Sequence, residues 1–124
     1  MSIMAVAMLL PAGVDLAVGN SDWEVFTGAS ALSLFIGVSL MLSTQSPSAT
    51  NLSLRQAFLL TTLSWLTIAT VAALPFAFSQ LDMTVADAFF ESMSGVTTTG
   101  STVIVGLDHA PPGILLWRAL LQWL

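Results

Sequence analysis

The stretch of this sequence best suited to chemistry is ESMSGVTTTGST, residues 91–102, in which four threonines lie around Gly100. It contains a single charge, Glu91, and neither cysteine nor histidine. The residues alone leave three interpretations open: a polar surface turn, a hydroxyl nucleophile, or backbone carbonyls that replace water around an ion. Glycine suits the third, because it reaches backbone angles that can turn a carbonyl toward an axis.

A hydroxyl nucleophile would need a base and an acid that orients the base. Asp108 and His109 could be nominated for these roles, with Ser92, Ser94 or Ser101 as the nucleophile. However, the sequence has no nucleophile elbow, and adjacent aspartate and histidine side chains rarely form such a pair. We therefore predict that the chain is not an enzyme and has no catalytic residue, with a membrane hydrolase as a disfavoured alternative. His109 is interpreted as a solvated loop residue.

The composition indicates a membrane protein rather than a water-soluble one. Of 124 residues, 56% are hydrophobic and only 7% are charged, against roughly 25% charged in typical globular domains. Two basic residues and seven acids exclude the basic footprint of a nucleic-acid-binding protein. The absence of cysteine excludes disulfides and thiolate metal sites. We therefore expect the lipid bilayer as a partner, and neither nucleic acid nor a cofactor.

The apolar segments predict an all-α membrane protein that begins with a transmembrane hairpin, residues 1–50. Its spans cover about residues 3–18 and 23–43. The second span supplies roughly 31 Å of helix, which is enough for a bilayer core of ~30 Å. Three helix starts carry the capping-box pattern, a hydroxyl residue followed three positions later by an acid or a glutamine: Ser21 with Glu24, Ser53 with Gln56, and Thr84 with Asp87.

Residues 51–124 are predicted to form one helix, pore-loop, helix repeat whose second helix is incomplete. The first helix opens at Ser53 and is expected to end near Pro75. The next helix has about 12 residues and stops at Gly95, so at about 18 Å it cannot cross the membrane. The last apolar helix starts at Pro112 and reaches only about 20 Å before the chain stops.

A helix that ends inside the membrane gives a reason for the hydroxyl groups and bare backbone that follow it. Unsatisfied amides and carbonyls are costly in hydrocarbon, so such backbone is tolerated only inside protein or beside a wet cavity. The C-terminal end of the helix carries about half a negative charge and favours a cation near the membrane centre. The stretch after Gly95 therefore favours an ion-conducting subunit over a small membrane scaffold without transport.

Residues 87–124, DAFFESMSGVTTTGSTVIVGLDHAPPGILLWRALLQWL, closely resemble the first pore repeat of the Trk and Ktr potassium-uptake proteins, specifically the TrkH type. The preceding LSLRQAFLLTTLSWLTIATVAALPF is similar to the first helix of that repeat, and the two leading spans to the extra N-terminal hairpin of TrkH. The resemblance implies potassium uptake through four such repeats in one polypeptide. It also implies a homodimeric membrane unit and a cytosolic, nucleotide-binding regulatory ring of the TrkA type. This chain alone, as a truncated piece, is then expected not to conduct.

The same resemblance assigns one strand of the selectivity filter to this chain. The strand comprises Thr97, Thr98, Thr99, Gly100 and Ser101, hereafter the candidate filter segment. Gly100 would be the filter glycine, and the backbone oxygens of Thr98, Thr99 and Gly100 would bind potassium, which is a substrate and not a cofactor. The segment differs from the TVGYG pattern of tetrameric channels in having a single glycine.

Three residues near the candidate filter segment are interpreted as structural support for the pore: Glu91, Gly95 and Arg118. Arg118 falls about two turns into the last helix, where an unpaired charge costs at least ~2.5 kcal/mol. We therefore predict that Arg118 pairs with Glu91 or binds carbonyls of the short helix.

The charges predict the orientation in a bacterial or archaeal cytoplasmic membrane. Arg55 marks the loop at residues 44–55 as cytoplasmic, because basic residues concentrate on that side. The span before this loop and the span after it both lead from the cytoplasmic side to the external side. All seven acids then lie on or near the external side. The N-terminus is then cytoplasmic, and the chain passes the membrane several times.

Overall fold

The chain is described here by a computed structural model that covers residues 1–44 and 53–124. The greater part of the predicted 44–55 loop, and the predicted domain boundary at residue 50, lie outside these ranges. In the described ranges the chain forms five α-helices and one short 3-10 turn, and no β-strand. The all-α prediction is therefore confirmed. The helices are α1 Ser2–Val18, α2 Trp23–Ser43, α3 Leu54–Phe78, α4 Val85–Val96 and α5 Pro112–Trp123, with the 3-10 turn at Leu107–His109.

Two of these helices are long and apolar enough to cross a membrane. They are α2, with a mean hydropathy of 2.0, and α3, with a mean hydropathy of 1.8. The buried side chains of α3 all lie from Ala69 onward, so its first half presents apolar side chains such as Phe58 outward. Helix α1 has 17 residues and is shorter than the ~20 residues that a membrane span usually needs.

Two of the three predicted capping boxes form. Ser53 accepts a hydrogen bond from the Gln56 amide at 3.3 Å, and the Gln56 side chain accepts one from the Ser53 amide at 3.0 Å. Thr84 and Asp87 make the same reciprocal pair at 3.2 and 3.3 Å. Each box satisfies two amides that the first turn of the helix leaves without partners. The starts of α3 and α4 are therefore encoded locally.

The capping box predicted at Ser21 and Glu24 does not form. Helix α2 begins at Trp23, and its N-cap is Asp22 rather than Ser21, with no capping hydrogen bond from a side chain. The Ser21 hydroxyl instead accepts a hydrogen bond from the side-chain amide of Gln80. A contact with Gln80, two residues after the end of α3, therefore replaces the local cap.

Helix α3 also continues past the predicted end at Pro75, as far as Phe78. Proline removes one backbone donor and strains the preceding turn, but Pro75 and Phe76 are both fully buried. Burial of this turn stabilises the helical path beyond the proline. The chain then turns into α4, which has 12 residues and is about 18 Å long.

The core is centred on Trp117 of α5, which is fully buried. Its indole N–H donates to the carbonyl of Ala72 in α3 at 3.1 Å. Its ring meets Phe26 of α2 edge to face, with centroids 6.3 Å apart and planes at 75°. Such pairs stabilise packing beyond the area that they bury. The tryptophan therefore fixes α5, and with it the neighbouring Arg118, against α2 and α3.

Candidate ion-binding site

The candidate filter segment follows directly from the end of α4. Thr97 is the C-cap of that helix, and residues 97–101 are all exposed. Two residues of the segment have left-handed backbone, Thr98 with φ 57° and Gly100 with φ 77°. Glycine adopts this conformation without penalty, whereas a threonine rarely does. The chain thus turns sharply twice within five residues.

Three consecutive amides of this segment point back at the end of α4. The amide of Thr98 donates to the Gly95 carbonyl at 3.0 Å. The amides of Thr99 and Gly100 donate to the Ser94 carbonyl at 2.9 and 3.4 Å. The last carbonyls of a helix lack partners within it, so these contacts satisfy both the helix end and the turn.

The direction of the amides fixes the direction of the carbonyls before them. In a planar trans peptide the C=O of one residue lies opposite the N–H of the next, and the described residues contain no cis peptide bond. Because the amides of residues 98–100 face α4, the carbonyls of Thr97, Thr98 and Thr99 face away from it, on the exposed side. The Thr97 oxygen also accepts the Thr98 hydroxyl at 2.7 Å, which leaves one of its two lone pairs.

The two carbonyls that end the segment have partners inside the protein. The Gly100 oxygen accepts a hydrogen bond from Arg118 Nη2 at 3.0 Å, and the Ser101 oxygen accepts one from the Ser94 hydroxyl at 2.6 Å. Gly100 was one of the predicted potassium ligands, and a guanidinium bound to its oxygen would repel a second cation there. The oxygens that face the open side belong to the three threonines before Gly100, which itself has a left-handed backbone.

A buried ion pair lies behind the segment. Glu91 in α4 is fully buried, and its Oε1 lies 2.5 Å from Nε of Arg118 in α5. Its Oε2 accepts hydrogen bonds from the Thr102 hydroxyl and the Val103 amide, each at 3.0 Å. The pair is one of the two contacts predicted for Arg118. Glu91 therefore joins α4, α5 and the irregular chain that leaves the segment.

Helix α4 is held closely on two sides. A Cβ placed on Gly95 would lie 3.0 Å from Cβ of Leu121 in α5, so only glycine permits this approach without displacement. On the other side, the buried Ser92 hydroxyl donates to the Ala69 carbonyl of α3 at 2.7 Å. The end of α4 is thereby fixed relative to both neighbouring helices.

The residues nominated for hydrolysis are not arranged for it. The hydroxyls of Ser92 and Ser94 both donate to backbone carbonyls, and Ser94 thereby holds Ser101. Asp108 and His109 are exposed in the 3-10 turn. Within residues 1–44 and 53–124, no three histidine, cysteine or acidic side chains cluster as metal ligands would. The structural role of Ser94 was missed from the sequence, where its only signal was a hydroxyl in the last turn of a short helix.

Comparison with known proteins gives consistent matches. The family model of TrkH, described as a cation transport protein, matches residues 23–124. The Trk system potassium uptake protein TrkH of Escherichia coli K12 is 41% identical over 117 residues, covering 94% of this chain and 24% of that protein. The Trk system potassium uptake protein TrkI of Halomonas elongata is 36% identical over 127 residues, covering 98% of this chain and 25% of that protein.

A solved structure matches as well. The crystal structure of the potassium transporter TrkH from Vibrio parahaemolyticus superposes with a TM-score of 0.87 at 37% identity, covering 98% of this chain and 26% of that one. The chain therefore spans about a quarter of the length of the relatives it matches.

Proposed function

The chain belongs to the TrkH family of cation transport proteins, and from that premise we propose that its candidate filter segment forms one strand of a potassium-uptake pore. One observation carries the proposal. The amides of residues 98–100 are bound to the end of α4, so the carbonyls of Thr97, Thr98 and Thr99 form a row on the exposed side. A row of carbonyl oxygens is the ligand type that replaces the hydration shell of potassium.

The surroundings of the segment favour a cation over an anion. The C-terminus of α4 carries about half a negative charge and lies directly behind the row of oxygens. The formal net charge of the chain is −5, which raises the local concentration of cations. Arg118 is the one nearby positive charge that the sequence provides, and Glu91 neutralises it.

One strand cannot surround an ion, because its oxygens all approach from one side. The proposal therefore includes further repeats of the same polypeptide, each with its own strand, around a common axis. Two features support this part: the relatives are about four times as long as this chain, and residues 97–101 are exposed. This chain alone is then not expected to conduct. A homodimeric membrane unit and a cytosolic nucleotide-binding ring of the TrkA type complete the assembly.

The proposed orientation has the N-terminus in the cytoplasm of a bacterium or archaeon. Helices α2 and α3 both cross the membrane, and Arg55 at the start of α3 lies on the cytoplasmic side, as basic residues usually do. The α1–α2 turn and the start of α4 then face outward. The exposed acids of these two regions, Glu24 and Asp82, would meet the arriving cations.

The test is potassium flux into proteoliposomes that contain the complete gene product carrying this chain. We expect flux from the complete product and none from residues 1–124 alone. A complete product that inserts and folds without carrying potassium would instead be a scaffold. Labelling of Ser92, Ser94 or Ser101 by an active-site serine probe would indicate a hydrolase, and would likewise contradict the proposal.

A further inference from the structure

A hydrogen bond connects the N-terminal hairpin to the last helix. Asp15 in α1 is fully buried, and its Oδ1 accepts the amide of Gly113 at 2.8 Å, although the two residues are 98 positions apart. This bond joins the C-terminal part of α1 to the first turn of α5.

The start of α5 lacks a local cap. Its N-cap is Pro111, which has no side-chain acceptor, and the next residue, Pro112, has no amide to donate. Gly113 therefore carries the first free backbone donor of the helix, which its own turn cannot satisfy. A carboxylate at a helix N-terminus also interacts favourably with the positive end of the dipole. Asp15 thus provides, from a different helix, the cap that the local sequence does not.

The absence of a side chain at Gly113 leaves room for this carboxylate. A Cβ built on Gly113 would lie only 2.5 Å from Cγ of Asp15 and would overlap its oxygens. The backbone of Gly113 is ordinary helix, so the glycine serves close approach and not an unusual conformation. Any larger residue would displace the Asp15 carboxylate or push α5 away from α1.

Helix α5 connects Gly113 to Arg118, which contacts the candidate filter segment. Arg118 follows Gly113 by five residues, about 7.5 Å along the helix. It binds the Gly100 oxygen at 3.0 Å and Glu91 at 2.5 Å. A shift of α5 along its axis, or a rotation about it, would move the guanidinium relative to both partners. The depth and rotation of α5 depend on where its first turn is fixed, together with the packing of Trp117 against α2 and α3.

We propose that Asp15 is a positioning residue for ion selection: it acts through Gly113 and α5 on Arg118 and Gly100, so the N-terminal hairpin sets the geometry of the candidate filter segment. This inference rests on the proposed function, because its readout is ion selectivity.

The test compares Asp15→Ala, Asp15→Asn and the control Asp108→Asn in the purified complete gene product. The readout is the ratio of potassium to sodium flux in proteoliposomes, because loss of folded protein lowers both fluxes and leaves their ratio unchanged. We expect Asp15→Ala to lower the ratio by about fivefold or more, a usual size for coupling between sites. Asp15→Asn keeps an acceptor oxygen and should retain most of the ratio. Asp108 is exposed near the same helix, and its variant should match the wild type.

A second variant tests the same contact from the other side. In Gly113→Ala the new Cβ collides with Asp15, so the ratio should fall as it does in Asp15→Ala. The double variant Asp15→Ala with Gly113→Ala should have a flux ratio no lower than that of Asp15→Ala alone, since the carboxylate that the new Cβ would meet is then absent. An unchanged ratio in both single variants would overturn the positioning role.

Gly100→Ala, measured in the same vesicles, separates the two proposals. If Gly100→Ala changes the ratio and the Asp15 and Gly113 variants do not, only the positioning role fails. If Gly100→Ala leaves the ratio unchanged, the proposed filter fails, and the positioning role fails with it.

Discussion

The Nη2 atom of Arg118 lies 3.0 Å from the carbonyl oxygen of Gly100. The same guanidinium pairs through Nε with Glu91, which is fully buried. One side chain thus connects α5, α4 and the turn that follows α4. These contacts explain why a charged residue is placed in an otherwise apolar helix.

We expect Arg118→Met to destabilise the complete protein by about 3–5 kcal/mol, because Glu91 would remain buried without its partner. Thermal unfolding in detergent measures this loss, and potassium flux should fall with it. Adding Glu91→Gln to Arg118→Met should recover part of the stability, since no unpaired charge then remains. Arg55→Met removes the other arginine, which is exposed, and serves as the control. Wild-type stability and flux in Arg118→Met would refute the supporting role of this ion pair.

Gly95→Ala should destabilise the protein by about 1–3 kcal/mol, a usual cost of overpacking, because the new Cβ meets Leu121 at 3.0 Å. Gly28→Ala is the matched control, since a Cβ there has nothing within 4 Å. Alanine is favoured over glycine in a helix by about 1 kcal/mol, so the control should be slightly stabilised. Unfolding midpoints of the two variants give the comparison. If Gly95→Ala were as stable as Gly28→Ala, the close approach of α4 and α5 would be wrong.

The stability of the protein should decline as pH rises above the ordinary aspartate pKa. Burial raises the pKa of Asp22 from 3.8, the nearby Asp15 charge raises it further, and a hydrogen bond from the Gln80 backbone partly lowers it. Between pH 3.8 and the raised folded pKa, the Asp22 carboxyl therefore keeps its proton in the folded state and loses it in the unfolded state. The resulting stability is complete below pH 3.8 and is lost as pH rises through the raised folded pKa.

Asp22→Asn cannot titrate, and it isolates this contribution. Its unfolding midpoint should fall less with rising pH than that of the wild type, when both are measured over the same buffer series. Parallel curves for the two proteins would show that Asp22 takes no part in the pH dependence.

Much of the fold could be predicted because its signals are local. The Thr84 and Asp87 pair marks the start of α4, and Gly95 lies one residue from its end at Val96. The ion pair was also accessible from the sequence, because an arginine in an apolar helix needs a partner and the short helix before it carries Glu91 beyond its capping residue Asp87. The TrkH resemblance, read from residues 87–124, is confirmed by the family match.

The features that could not be predicted depend on distant contacts. Ser21 fails as a cap because Gln80 binds its hydroxyl from 59 positions away. The Asp15 bond to Gly113 crosses 98 positions. The use of the Gly100 oxygen by Arg118 follows from how α5 packs, which local patterns do not specify. Local sequence thus determines where α3 and α4 begin, whereas tertiary packing determines which oxygens stay free.

The central claim is tested most directly by comparing Gly100→Ala with Gly106→Ala. Both glycines have left-handed backbone, with φ 77° and 74°, and neither has an atom within 4 Å of an added Cβ. Each alanine therefore costs about 1–2 kcal/mol through the backbone alone, so the two variants are matched in strain. The measurement is the ratio of potassium to sodium flux in proteoliposomes of the complete gene product. The account predicts a lowered ratio in Gly100→Ala and a wild-type ratio in Gly106→Ala, whereas a wild-type ratio in both, or an equal loss in both, would contradict it.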